Sequence, residues 1–120
     1  MSEQLATQSA REACSDLCTS FVLYLDSRRF TETAALFAEY GVLIRPEGSG
    51  FVGPRAIAAA QSARKPTLQT IHHVSPTLVT LSSETEAQGR SSFVTFVIDT
   101  GDKPSRAMRM AYFDDRYHKV

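Results

Sequence analysis

The stretch Tyr24-Leu25-Asp26-Ser27-Arg28-Arg29-Phe30 (YLDSRRF) decides how this chain folds, because it separates two helical patterns. Before it, from about residue 7 to 27, apolar side chains recur at helical spacing and predict one long amphipathic helix. Its apolar positions are Cys14, Leu17, Cys18, Phe21 and Leu25. After it, residues 31–38 predict a second, short helix. Asp26 therefore lies at the hinge between two helices. Its surroundings are apolar, so the presence of an ionisable side chain there has to be explained.

The rest of the chain predicts a hairpin, a third helix and a sheet. The runs 42–44 and 51–52 flank a Pro- and Gly-rich turn, and Gly53-Pro54 opens a helix that Pro66 ends. Beyond Pro66, β-branched and aromatic residues dominate three runs, at about 68–81, 87–99 and 105–118, which predict three antiparallel strands joined by short turns. This order predicts an α+β fold in which three N-terminal helices pack on a strongly curved antiparallel sheet and enclose a pocket.

Composition excludes several classes of protein. A chain of 120 residues predicts a single domain over 1–120. It carries 13 basic and 13 acidic side chains, and this neutral balance argues against a nucleic-acid partner. No apolar run approaches the roughly 18 residues that a membrane span needs, and the N-terminus lacks the regions of a signal peptide. We therefore expect a soluble cytoplasmic protein with no membrane partner.

The cysteines and histidines do not predict a metal site. Cys14 and Cys18 lie one helical turn apart, but two thiolates without further ligands make a poor closed site and are better interpreted as small buried apolar residues. His72 and His73 are neighbours in a strand, so their side chains point to opposite faces and cannot chelate one ion. We predict no metal and no cofactor.

Several short segments together resemble a known family. They are Leu25–Phe30, Leu36-Phe37, Gly41-Val42, Gly53–Ile57, Ile71–Ser75 and Phe113–Tyr117. The chain resembles the nuclear transport factor 2-like superfamily, and within it the SnoaL-like group of small polyketide cyclases, dehydratases and isomerases. The resemblance implies a cystatin-like cone, with three helices closing a strongly bent sheet over a deep, largely apolar pocket. It also implies a final strand after Val120, so we expect a sheet that is one strand short or a truncated sequence.

The resemblance also implies a site. In dehydratase-like members, an aspartate matching Asp26 and a histidine matching His72 meet inside the pocket and handle protons. We predict these two residues as catalytic. We predict that a small apolar molecule in the pocket is contacted by Phe21, Tyr24, Leu25 and Tyr112. The resemblance also implies that such members tend to carry a tyrosine either just before the aspartate or about one turn earlier on the helix, where this chain has Leu25 and Phe21.

The last strand suggests how copies of the chain associate. In it, Met108, Met110 and Tyr112 share one face with Arg106 and Asp114. The resemblance implies that the outer face of the sheet forms a dimer interface, and interfaces are enriched in Met and Arg. We predict a homodimer through this face.

An aspartate and histidine in contact support proton transfer. Such a pair can take a proton from a carbon next to a carbonyl and return one elsewhere, which serves isomerisation, dehydration or ring closure without a metal or organic cofactor. The function predicted is thus a cofactor-independent lyase or isomerase acting on a small carbonyl-bearing ring compound. Candidates to stabilise an enolate, by residue type alone, are Tyr24, Tyr112, Tyr117 and Arg109.

Alternatives remain open for both residues and for the function. Asp26 is also suited to capping the second helix, or to pairing at the surface with Arg28 or Arg29. His72 is also suited to a hydrogen-bonded place in the core. A non-catalytic module that binds a small molecule or assists assembly fits the same fold, since fold does not dictate function.

Overall fold

The computed structural model describes residues 3–119 and contains three helices and six strands within them. In chain order the elements are α1 (Glu3–Asp26), α2 (Phe30–Ala34), β1 (Val42–Ile44), β2 (Gly50–Val52), α3 (Pro54–Ser62), β3 (Leu68–Val74), β4 (Leu78–Leu81), β5 (Glu86–Asp99) and β6 (Ser105–His118). The α+β class, the hairpin and the order of elements match the prediction. The second helix is shorter than the predicted 31–38 and covers five residues.

The sheet is organised around β5. β6 pairs with β5 along its whole length on one side, while β3 and β4 pair with successive parts of β5 on the other side. All of these pairings are antiparallel, and β1 and β2 form a separate antiparallel hairpin. β5 is therefore the central strand, and it fixes which residues of β3 and β6 lie side by side.

The predicted strand over 68–81 is wrong in one respect, because it is interrupted at residues 75–77. Pro76 has no N–H to donate to the ladder. Val74 pairs with Phe93 and Leu78 with Arg90, so three residues on one strand oppose two on the other, as in a β-bulge. The extra residue reverses the alternation of faces, which leaves Leu78 exposed.

α1 packs along the four-stranded sheet through one apolar stripe. Its most buried side chains are Cys14, Cys18, Val22 and Leu25, which recur about once per turn. We call the face of the sheet that α1 covers the inner face, and the opposite side the outer face. α2 and α3 pack against each other near the end of α1. Within residues 3–119, no helix is both long enough and apolar enough to cross a membrane.

The turn between β5 and β6 is fixed by one carboxylate. Oδ1 of Asp99 accepts hydrogen bonds from the Thr67 hydroxyl at 2.8 Å and from the Gly101 amide at 2.9 Å. Its other oxygen lies 3.5 Å from Nζ of Lys65. These donors lower the pKa of Asp99. The carboxylate thus ties the segment before β3 to the turn that sets the β5–β6 register.

Candidate active site

Asp26 is bound to β3 by three polar contacts. Its Oδ1 accepts a hydrogen bond from the Thr70 hydroxyl at 2.8 Å, and its Oδ2 accepts one from the backbone N–H of His72 at 2.7 Å. Oδ1 also lies 2.6 Å from Nδ1 of His72. Asp26 therefore neither caps α2 nor pairs with Arg28 or Arg29: α2 has no side-chain cap, and Arg29 pairs instead with a neighbouring glutamate.

The end of α1 positions the carboxylate. Arg28 has a φ of 59°, in the left-handed region that usually ends a helix, and the N–H of Arg29 donates to the carbonyl of Tyr24 at 2.8 Å. The Arg28 guanidinium then donates to the carbonyl of Leu68, at the first residue of β3, at 3.0 Å. The helix end is thereby fastened to β3 two residues after Asp26, which holds its carboxylate against His72.

The geometry assigns the proton on His72. Because Nδ1 lies 2.6 Å from a carboxylate oxygen, it carries the hydrogen and donates it to Asp26, which leaves Nε2 free to exchange protons. Both side chains are largely buried, at 9% exposed for His72 and 14% for Asp26. This contact is the Asp–His pair on which the predicted chemistry depends.

The strand register adds two residues beside His72. His72 pairs with Thr95 of β5, and Thr95 pairs with Arg109 of β6, so the three form a row across the inner face. The Thr95 hydroxyl is buried and has no hydrogen-bond partner among residues 3–119. Arg109 is exposed on the same face. The row thus runs from a histidine through an unpartnered hydroxyl to a cation.

An aromatic cluster lies next to this row. Phe93 stacks on Phe113 with ring centroids 4.3 Å apart, and the His72 ring lies 5.5 Å from Phe93. Phe21 of α1 meets Phe113 edge-on at 5.9 Å and Phe37 at 6.0 Å. Phe21 therefore belongs to an apolar wall on the same face as His72.

The other predicted contact residues occupy different places. Leu25 is 5% exposed and adjoins Asp26 in α1. Tyr24 is half-buried, and the Arg29 guanidinium lies 5.0 Å from its ring centroid. Tyr112 is not brought to the site: it lies on the outer face, 62% exposed, under the guanidinium of Arg90 at 4.3 Å. Tyr112 is three positions after Arg109 in β6, so its side chain points to the opposite face of the sheet. It therefore cannot contact a ligand held beside His72.

A depression opens next to Asp26 at the β3 edge of the sheet. Its volume is about 310 Å³. It is lined by Leu25, Asp26, Ser27, Arg28, Arg64, Leu68, Gln69, Thr70, Ile71, Phe96 and Ile98. Apolar side chains and two arginines therefore share one concavity with the candidate catalytic carboxylate.

A second polar cluster lies further along the inner face. Burial raises the pKa of Asp115, which accepts a hydrogen bond from the Tyr117 hydroxyl at 3.3 Å. Burial and the charge of Asp115 together raise the pKa of Tyr117. Burial also raises the pKa of Cys18, whose Sγ lies 3.6 Å from the Ser91 hydroxyl. The thiol and the phenol are thus neutral at physiological pH.

Thr70 and Thr95 were not predicted as site residues. Thr70 had a usable signal, because it precedes His72 by two positions and so shares its face in any strand. Thr95 had none, since its place depends on how β3 and β5 align. Within the described part of the chain, no three His, Cys, Asp or Glu side chains are grouped so as to hold a metal ion.

Comparisons with known proteins place this geometry in a family. The model of the SnoaL-like domain matches residues 6–120. A comparison with curated proteins finds no match. Among solved structures, the chain is similar to a scytalone dehydratase-like protein from Novosphingobium aromaticivorans, with a TM-score of 0.87 and 23% identity over 98% of this chain and 78% of the other.

Two further structures are similar in fold. One is a type 2 hexachlorocyclohexane dehydrochlorinase, LinA, with a TM-score of 0.87 and 16% identity over 98% of this chain and 80% of the other. Another is a nuclear transport factor 2-like protein with a cystatin-like fold from Novosphingobium aromaticivorans. Its TM-score is 0.78, with 18% identity over 98% of this chain and 77% of the other. Because the family model covers nearly the whole chain, this protein belongs to the SnoaL-like domain family.

Proposed function

We propose that this protein is a cofactor-independent lyase or isomerase that transfers protons on a small, apolar, carbonyl-bearing ring compound. The observation that carries the proposal is the 2.6 Å contact between Oδ1 of Asp26 and Nδ1 of His72. A carboxylate that orients the ring and stabilises the imidazolium is the arrangement that general acid–base catalysis by histidine uses.

The chemistry follows from the free ring nitrogen. Nε2 of His72 removes a proton from the carbon next to the substrate carbonyl, which gives an enolate and an imidazolium paired with Asp26. The imidazolium then returns the proton. Delivery to a β-hydroxyl expels water and completes a dehydration, while delivery to another carbon completes an isomerisation. A positioned acid and base of this kind contribute about 10² to 10⁴ in rate.

Arg109 is the residue best placed to support the enolate oxygen. It lies in the same inner-face row as His72, separated from it by Thr95. A cation aimed at a developing oxyanion stabilises the transition state more than the ground state. The aromatic wall of Phe21, Phe93 and Phe113 supplies the apolar surface for a ring.

Relationships of the chain support a reaction of this class. The family model is that of the SnoaL-like domain, and two of the similar structures bear the names dehydratase and dehydrochlorinase. An isomerase- or dehydratase-type activity is the function that these relationships favour.

Deuterium exchange tests the proposal without knowledge of the natural substrate. The full chain is incubated in deuterated buffer with β-tetralone or cyclohexenone, and loss of the α-proton signal is followed by NMR. We expect exchange above the buffer rate, reduced by about 10² to 10⁴ in Asp26→Asn and in His72→Gln.

His118→Gln is the matched control for the histidine substitution. His118 is exposed at the end of β6, where it pairs with Glu86 at 3.4 Å, far along the sheet from the site. The His118→Gln variant should catalyse deuterium exchange at the same rate as the unmodified protein. Full exchange in Asp26→Asn and His72→Gln would show that the pair is not catalytic. Binding of these ketones without any exchange would favour the non-catalytic module instead.

We also propose a cytoplasmic homodimer. Met108, Met110 and Tyr112 form what we call the outer patch, with exposures of 62%, 76% and 62%. Arg90 and Asp114 pair beside it at 3.6 Å, which gives an apolar centre with a polar rim, as in protein interfaces. Both cysteines are free thiols, which suits a reducing compartment.

A further inference from the structure

The depression beside Asp26 combines an apolar wall with positive charge. Its volume of about 310 Å³ lies at the lower end of the range of roughly 300 to 1,000 Å³ that small-molecule sites occupy. The apolar wall consists of Leu25, Leu68, Ile71, Phe96 and Ile98. Three of these side chains are well exposed, Ile71 at 58%, Phe96 at 45% and Ile98 at 40%, and by strand parity they belong to the outer face, so the depression wraps around the β3 edge. An apolar ligand body would remove this surface from water.

Arg28 is fixed in the depression by neutral groups. Its Nη1 donates to the carbonyl of Leu68 at 3.0 Å, and its guanidinium lies 5.2 Å from the ring centroid of Phe30. Neither contact supplies a negative charge. Since a guanidinium has five N–H donors, most of them remain available to a ligand.

Arg64 is half-buried in the same depression and has no partner there. Within residues 3–119, its side chain makes no ion pair and no hydrogen bond. Burial lowers the pKa of Arg64, the positive charges of Arg45 and Arg28 lower it further, and Asp26 acts in the opposite direction. Buried charges are normally paired with an opposite charge, and the guanidinium of Arg64 has no such group in contact with it among the described residues.

The neighbouring acid, Asp26, offsets only part of this imbalance, and the neighbouring cation Arg45 adds to it. Both oxygens of Asp26 already accept hydrogen bonds from β3, through Thr70 and His72. Arg45 adds positive charge, and it is held by the carbonyl of Ala60 at 3.0 Å rather than by a carboxylate. The depression is therefore suited to a negative group on the ligand.

We propose that this depression binds a small ring carboxylate, with the carboxylate held by Arg28 and Arg64 and the ring against the apolar wall. The planar guanidinium fork matches the two oxygens of a carboxylate, which a neutral amide cannot replace. An inorganic anion would satisfy the arginines but leave the wall exposed. The proposal goes beyond proton transfer and stands whether or not Asp26 and His72 are catalytic.

Calorimetric titration of the full chain tests the proposal with benzoate, benzamide and inorganic phosphate. We expect benzoate to bind about tenfold or more tightly than the other two probes. Arg64→Met should weaken benzoate binding about tenfold or more and leave benzamide unchanged. Arg64→Lys keeps the charge without the fork and should lose part of the affinity. Ile71→Gln should weaken binding of benzoate but not of phosphate.

Two variants distinguish benzoate binding in this depression from a general loss of positive charge and from loss of catalysis. Arg55→Met removes an exposed arginine of α3, the helix that ends two residues before Arg64, and should leave benzoate binding unchanged. Asp26→Asn should keep or tighten benzoate binding, although it should abolish deuterium exchange. Circular dichroism melts verify that each variant folds, and if Arg64→Met does not, Arg64→Lys and Ile71→Gln decide the matter.

Three outcomes would overturn the proposal. Benzoate binding no tighter than benzamide would exclude recognition of the charge. Phosphate binding as tight as benzoate would exclude recognition of the ring. Unchanged benzoate affinity in a folded Arg64→Met would place the ligand elsewhere.

Discussion

At the scale of single residues, the candidate site depends on one carboxylate that makes three polar contacts with two residues, Thr70 and His72. Asp26 and His72 could be paired from the sequence because the family resemblance names both. Their immediate neighbours could not all be found in that way. Thr95 and Arg109 join His72 only through the alignment of three strands. Arg28 and Arg64 look like surface charges in the sequence, and only the structure shows that they line the depression beside Asp26.

Thr70 offers a test of how far catalysis depends on the orientation of Asp26. Thr70→Val removes the hydroxyl that donates to Oδ1 at 2.8 Å and keeps the shape of the side chain. We expect the exchange rate at saturating ketone to fall about tenfold, as for loss of one hydrogen bond to a charged group, with the KM unchanged. NMR of the His72 ring nitrogens should show weaker retention of the proton on Nδ1.

Thr70→Ser is the companion variant, because it restores the hydroxyl without the methyl group. It should recover most of the exchange rate and the Nδ1 proton signal. A loss in Thr70→Ser with a normal rate in Thr70→Val would mean that Thr70 acts through packing alone. Normal rates in both variants would mean that the other two contacts suffice to orient Asp26.

At the scale of elements, the helices and the long strands were predictable, whereas the form of the break in the sheet was not. Periodic apolar positions predict α1, and β-branched runs predict β5 and β6. Pro76 marks the break between β3 and β4 in the sequence, but the form of the break also involves the side chain of Ser75, whose hydroxyl accepts the N–H of Ser92 at 2.9 Å. Here a side-chain oxygen takes the place of a backbone carbonyl as the acceptor, and the strand propensities of the residues do not predict this. The helix α2 is shorter than predicted because the chain after Ala34 continues in tighter turns, in which the N–H groups of Leu36 and Phe37 donate to the carbonyls three residues before them.

Gly89 shows what close packing between elements requires at one position of β5. A Cβ there would lie 2.8 Å from Cε2 of Tyr117 and 2.9 Å from Cγ2 of Thr77. We expect Gly89→Ala to lower the free energy of unfolding by about 1 to 3 kcal/mol through overpacking, as measured by urea denaturation. Gly50→Ala in β2 is the control.

At Gly50 the nearest atom to an added Cβ is Cγ1 of Val42 at 3.7 Å, an ordinary contact. Its substitution should change the free energy of unfolding by less than about 0.5 kcal/mol. Equal effects at the two glycines would attribute the loss at Gly89 to the general cost of changing a glycine in a strand, not to Tyr117 and Thr77.

At the scale of the whole molecule, the chain is more extended than a compact domain. Its radius of gyration is 15.6 Å, against about 13.6 Å expected for this length. The long axis measures 57 Å. The β5–β6 ribbon accounts for this shape, and it displays the outer patch of Met108, Met110 and Tyr112 to solvent. The chain length predicted a single domain, but it does not indicate how far two paired strands project.

The outer patch gives the proposed homodimer a direct test. Light scattering after size-exclusion chromatography should give twice the 13.2 kDa mass of one chain. Met110→Lys places a charge at the centre of the patch and should yield the single-chain mass at the same concentration, because buried unpaired charges are costly. Leu23→Lys changes an exposed leucine of α1, at 59%, and should remain dimeric. A dimeric Met110→Lys would move the interface elsewhere.

The position of Asp99 at the β5–β6 turn affects how the results of a mutational screen should be interpreted. Thr95 precedes Asp99 by only four positions of β5, about 13 Å, yet Asp99 contacts nothing in the candidate site. Because the alternation along a strand has a period of two, a slip of one residue at the β5–β6 turn would point Arg109 away from the face that carries Thr95 and His72. An inactive Asp99 variant would then resemble a catalytic mutant in an activity screen. Its cause would be a misaligned strand, so turn positions in this family are poor guides to which side chains touch substrate.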